Sequence, residues 1–118
     1  KLVDEYPPSS DFPGGFALNL CDSVCRARYR GYRRDPDPVE PGEIYAFDME
    51  PYPTANRFAA GHRIRLDVSS SNYPRYDVNH NTGESPGGRE RRVATNTVHH
   101  DSEHPTHVEL PIRPRSSE

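Results

Sequence analysis

Apolar and polar residues alternate in short runs along this chain, and alternation of period two predicts strands, because successive side chains then point to opposite faces. Leu2 to Tyr6 is the first such run. Phe16, Leu18 and Leu20 begin a second extended piece. Val24 to Arg30 predicts a third, with Cys25, Ala27 and Tyr29 on one face and Arg26, Arg28 and Arg30 on the other. From Glu43 to Glu50, Tyr45, Phe47 and Met49 share a face, while Ile44 and Ala46 start the opposite one. Arg63 to Ser69 is the clearest strand: Ile64, Leu66 and Val68 face in, and Arg63, Arg65 and Asp67 face out. Short strands are expected again at Val93 to Val98 and at Thr106 to Ile112.

The connections carry their own signals. Pro7 to Gly15 combines Pro-Pro, Ser-Ser and Gly-Gly steps, which punctuate loops. Glu40-Pro41-Gly42 predicts a turn, with proline presetting φ and glycine free to take a positive one. Asn79 to Arg92 reads as an exposed loop, and Arg113 to Glu118 as a frayed end. The 13 prolines are scattered, and no apolar stripe at helical spacing runs through them, so long helices are not expected. The expected fold is all-β. A single sheet would leave its oily face in water, so two sheets must stack as a sandwich. The strands found are few for closing both sheets, and open edges invite pairing with a partner or a second copy.

Composition sharpens this picture. Only 31 % of the 118 residues are hydrophobic, a lean supply for a domain whose size already limits burial. The chain opens on Lys1-Leu2-Val3, strand-like at once and without an initiator methionine. It is therefore expected to be part of something longer. The formal net charge is -3, which predicts no long-range attraction to nucleic acid. Lys1 is the only lysine, and the arginines are mixed with carboxylates, as on a salt-bridged sheet face. No apolar run is long enough for a membrane helix, and no signal peptide is visible. The cytoplasm is the expected location, with secretion as the alternative.

Candidate chemistry is sparse. Cys21 and Cys25 could close only a small loop, so free thiols are expected, with Cys25 buried in its alternating run. His99, His100, His104 and His107 cluster near Asp101. A shared helical face for metal binding is opposed by Pro105 and by the strand pattern after it. The expected role of His100, Asp101 and His104 is to tie down a connection by hydrogen bonds. No metal or cofactor site is expected. A serine triad needs a nucleophile on a sharp turn, and no G-x-S-x-G occurs. His62 or His100 with Asp67 or Asp101 would make a diad on paper only. P-loop, dinucleotide, H-E-x-x-H and EF-hand patterns are also absent. Tyr73, Pro74, Arg75 and Tyr76 bring two rings, a rigid turn and a guanidinium together, a composition typical of interface anchors. They are expected to press on a neighbouring domain, with capping of their own sandwich or sugar stacking as alternatives.

An ordered series of segments carries a family resemblance. It runs from Lys1-Leu2-Val3-Asp4 through Leu20-Cys21-Asp22-Ser23, Pro41-Gly42-Glu43-Ile44-Tyr45 and Pro53-Thr54-Ala55-Asn56-Arg57-Phe58. It becomes recognisable at Gly61 to Asp77, and the specificity lies in the ordered series as a whole. It resumes at Asn79 to Gly83, at Asn96 to Asp101 and at His104 to Ile112. The chain resembles the C-terminal non-catalytic domain of the X-Pro dipeptidyl-peptidase and cocaine esterase family of serine hydrolases. Position 99 departs from the tyrosine usual before His-Asp, and Cys25 replaces a usually aliphatic residue.

The resemblance implies a jelly-roll, galactose-binding-like β-sandwich of which residues 1–118 form the C-terminal part. It implies an α/β-hydrolase domain and a helical cap elsewhere in the same parent as partners, with the triad in the hydrolase domain. No catalytic residue transfers to this chain. The expected function is therefore a structural domain that buttresses an enzyme cleaving ester or amide bonds, X-Pro dipeptide bonds included. The alternative is an independent carbohydrate- or ligand-binding module.

Overall fold

Leu2–Tyr6 forms strand β1, Phe16–Cys21 forms β2 and Arg63–Leu66 forms β3 in the computed structural model, which describes residues 1–32, 34–84 and 88–114. The three strands make one antiparallel sheet in the order β2-β1-β3. Their partner choice follows from the chain. The Pro7–Gly15 loop returns β2 beside β1, closed by the Gly15 amide donating to the Phe12 carbonyl at 2.9 Å. Gly15 sits at φ +78, and a Cβ there would meet the Tyr6 carbonyl oxygen at 2.7 Å, so only glycine fits. Beyond β3, Lys1 and Asp67 exchange two more bonds, at 2.7 and 2.9 Å.

The register fixes the faces. Leu2 lies opposite Leu66, and Asp4 opposite Ile64; Val3 lies opposite Arg65, and Glu5 opposite Arg63. Directly paired residues share a side of an antiparallel sheet. One face thus carries Leu2, Asp4, Ile64 and Leu66, and the other carries Val3 and the Arg63–Glu5–Arg65 charges. On that second face Arg65 reaches Asp67 at 3.0 Å and Glu5 at 3.6 Å, as the alternation in β3 predicts. Between β1 and β2 the register slips: Leu2 faces Cys21 but Val3 faces Asn19. The extra residue is a β-bulge, which bends the strand end and carries Cys21 and Asp22 into buried positions.

The core is thin. Its buried apolar residues are Leu2, Val3 and Cys21, joined by the buried carboxylates of Asp4 and Asp22. Ile64 and Val68, the inward side of β3 by pattern, are 55 % and 51 % exposed. The accessible surface is 10578 Å², against about 6,500 Å² for a complete folded monomer of this mass. The radius of gyration is 17.9 Å, where a closed domain of this length has about 13–14 Å.

Several expected strands are replaced by other structure. Val24 to Arg30 is not a strand: Ala27–Tyr32 forms 3-10 turns, interrupted by non-helical dihedrals at Tyr29, Arg30 and Gly31. Arg28 and Arg30 bond to carbonyls and to Asp37 instead of lining a sheet face. Cys25 is exposed and Cys21 is the buried thiol, both free. Segments 43–50, 93–98 and 106–112 are extended or irregular without ladder partners. Alternation says where side chains point, but a strand also needs a neighbour to bond with. The Glu40 turn forms as expected, with the Glu43 amide donating to the Glu40 carbonyl at 3.2 Å and Gly42 at φ +88. No described helix is long and apolar enough to cross a membrane. Residues 115–118 of the expected frayed end, and 85–87 of the expected exposed loop, lie outside the described residues.

Candidate functional site

Two buried aspartates organise what the thin core cannot. Asp4 stands on the central strand and is 1 % exposed. Its carboxylate accepts from Asn56 Nδ2 at 3.0 Å, and its other oxygen lies 2.8 Å from His62 Nδ1. The His62 ring packs 4.1 Å from the Tyr6 ring. The Gly61 turn places it there, its amide donating to the Ala59 carbonyl at 3.1 Å, with Gly61 at φ +86. A buried carboxylate needs partners of this kind, because leaving water unpaired costs several kcal/mol, about 1–3 or more.

Asp22, just past the bulge, plays the same part for the aromatic loop. Asn72 Nδ2 donates to it at 3.1 Å, and Arg75 Nη1 lies 3.0 and 3.1 Å from its two oxygens. The Asp22 carbonyl accepts from the Tyr52 amide at 3.3 Å, and Ser23 Oγ donates to the Glu50 carbonyl at 3.0 Å. The Arg75 guanidinium lies over the Tyr52 ring at 5.5 Å and the Tyr76 ring at 5.7 Å, which is cation–π range. A hydrogen bond with Tyr52 holds the Tyr76 phenol above its ordinary pKa, with burial adding to the effect. The Tyr76 amide bonds the Asn72 carbonyl at 3.2 Å, and the Tyr73–Pro74 peptide is cis. The result is a closed loop pinned from beneath by one carboxylate. Tyr73 projects from it, 72 % exposed.

The histidine cluster lies in the C-terminal stretch. Asp101 Oδ1 accepts from the backbone amides of Glu103 at 2.9 Å and His104 at 2.8 Å. It also lies 3.2 Å from His104 Nδ1. These bonds hold its carboxyl below the ordinary range, the His104 amide contributing most. His99, not His100, is the second ring here: its Nδ1 lies 3.8 Å from Asp101 Oδ2, and its ring centre is 5.3 Å from that of His104. His100 is exposed and has no hydrogen-bond partner among the described residues.

What this arrangement can do chemically is limited. The diads drawn on paper do not form: His62 pairs with Asp4, and Asp67 pairs with Arg65. No serine bonds a histidine among the described residues; His62 pairs with Asp4 and His104 with Asp101. Ser69 and Ser71 close their own turn instead, Ser69 Oγ donating to the Ser71 carbonyl at 2.9 Å. A shallow cleft of about 300 Å³ beside Glu5, Tyr6, Pro7, Gly61 and Arg63 holds no converging nucleophile and base. Asp4, Asn56, Asp22, Asn72 and His99 were not singled out as site residues from the sequence. The signal that could have found the aspartates is a lone carboxylate beside apolar residues, in Leu2-Val3-Asp4 and Leu20-Cys21-Asp22.

The model of the X-Pro dipeptidyl-peptidase C-terminal non-catalytic domain matches residues 1–109. Cocaine esterase of Rhodococcus sp. (strain MB1 Bresler) is 45 % identical over 115 residues, which cover 95 % of this chain and 19 % of that protein. The chain thus spans about a fifth of that relative's length. No solved structure matches. With a match over nearly its whole length, this chain belongs to the X-Pro dipeptidyl-peptidase C-terminal domain family, as its non-catalytic domain.

Proposed function

We propose that this chain is the structural, non-catalytic part of a serine hydrolase acting on ester or amide bonds. It contributes strands to a jelly-roll sandwich that buttresses an α/β-hydrolase domain and its cap. The observation that carries this reading is the sheet's uncovered apolar side. Ile64, Leu66 and Val68 keep the alternation of a core strand yet are 41–55 % exposed. An oily face of this kind gains about 25 cal/mol for each Å² taken out of water, so it favours a covering layer. The similarity to an esterase of which the matched region is 19 % supports the hydrolase domain as that layer.

The aromatic loop fits the contact with that layer. Arg75 and Tyr76 are held by Asp22 and Tyr52, while Tyr73 and Pro74 stay exposed. A ring presented on a pre-set loop loses little entropy on docking. The test is a nitrophenyl ester assay on the full-length protein and on residues 1–118 alone. Turnover is expected only in the full-length protein. Turnover by the isolated residues, abolished by changing a serine or histidine among them, would overturn the reading.

A further inference from the structure

We propose that His99, Asp101 and His104 form a binding site for a first-row divalent metal of the zinc type, which pins the loop between positions 99 and 106. One ligand atom from each residue lies within 4.8 Å of the other two. Tetrahedral zinc with bonds of 2.0–2.2 Å sets its ligand atoms roughly 3.3 Å apart. His104 Nδ1 and Asp101 Oδ1 already stand at 3.2 Å, and His99 Nδ1 and Asp101 Oδ2 at 3.8 Å. Closing the set on a metal therefore takes side-chain shifts of about 1 Å, within rotamer freedom.

The loop holds its ligands in place before any metal arrives. The amides of Glu103 and His104 fix the Asp101 carboxylate. Thr106 Oγ1 donates to the His99 carbonyl and closes the loop across the same gap. Two imidazoles and one carboxylate suit zinc, nickel or copper; magnesium and calcium prefer oxygen shells. Three protein ligands leave one position for water. All three residues are partly exposed, with side-chain exposures of 36 %, 54 % and 38 %, so the metal has an entry path.

The test is isothermal titration of Zn²⁺ into the full-length protein, free of any histidine tag, beside its His99→Ala, His104→Ala, His100→Ala and His107→Ala variants. One equivalent should bind the parent. His99→Ala and His104→Ala should each weaken binding about tenfold or more, while His100→Ala and His107→Ala leave it unchanged. Imidazole ¹⁵N resonances of His99 and His104 should shift together in the unmodified protein, a readout that does not depend on variant folding. Mg²⁺ and Ca²⁺ should bind far more weakly than Zn²⁺. Sub-stoichiometric binding overturns the proposal. So does an affinity indifferent to His99→Ala and His104→Ala, or zinc that shifts other imidazoles instead.

Discussion

Single residues here do what a larger core does elsewhere. Asp4 is a charge at the centre of a sheet, tolerable because Asn56 and His62 meet both of its oxygens. Removing His62 strands half of that carboxylate. His62→Ala should cost about 2–3 kcal/mol. Amide exchange along β1 in the full-length protein should then quicken roughly 30- to 150-fold. His107→Ala, on an exposed ring, should change it little. Asp101 allows a second residue-level test. Its folded-state pKa lies below the ordinary 3.8, chiefly because the His104 amide donates to it. A depressed carboxylate pKa contributes stability that is complete above the ordinary value and is lost as pH falls through the folded one. In metal-free protein the Glu103 and His104 amide resonances should therefore titrate with a midpoint below 3.8. Asp101→Asn should abolish that titration. A midpoint at or above the ordinary value would contradict the bonding described.

Elements assemble around the two clamps. Asp22 lies at a bulge, and the bulge exists because Leu2 and Val3 pair with Cys21 and Asn19. Asp22→Ala should free Asn72 and Arg75 and loosen the 72–76 loop without unfolding the sheet. The Tyr76 amide should lose protection, while β1 and β3 keep theirs. Replacing Tyr73 and Tyr76 by alanine should weaken docking to the rest of the protein, read as faster dissociation of residues 1–118 from the separately expressed remainder. Unchanged docking would remove the loop from the interface. The elements legible in the sequence were those whose partners lie within this chain: Leu2 to Tyr6, the Phe16 piece and the Arg63 strand. Their alternation and flanking turns suffice because each finds a ladder partner. Val24 to Arg30 shows the same alternation but pairs with no described strand, and Gly31 at φ +65 helps to break the extended run. The aromatic loop was legible as a unit from its residue types. Its clamp was not, because Asp22 is fifty-three positions from Arg75, and one sequence does not reveal long-range partners. His99 and His100 both stand in the cluster by sequence, and period alone cannot say which neighbour a loop turns inward.

At the scale of the whole molecule, surface is the dominant quantity. About 4,000 Å² more is exposed than a closed domain of this mass shows. The sheet has buried its first strand but not its third. That balance explains why this chain is rich in strand-like alternation and poor in strands. On the function proposed above, the rest of the layer comes from other parts of the full-length protein. Hydroxyl-radical footprinting of Ile64, Leu66 and Val68 tests that assignment most directly, comparing the full-length protein with residues 1–118 alone. Strong protection of all three in the full-length protein, with free oxidation in the isolated chain, is the result expected. Equal oxidation in both would mean that nothing covers this face, and the buttressing role would fall with it.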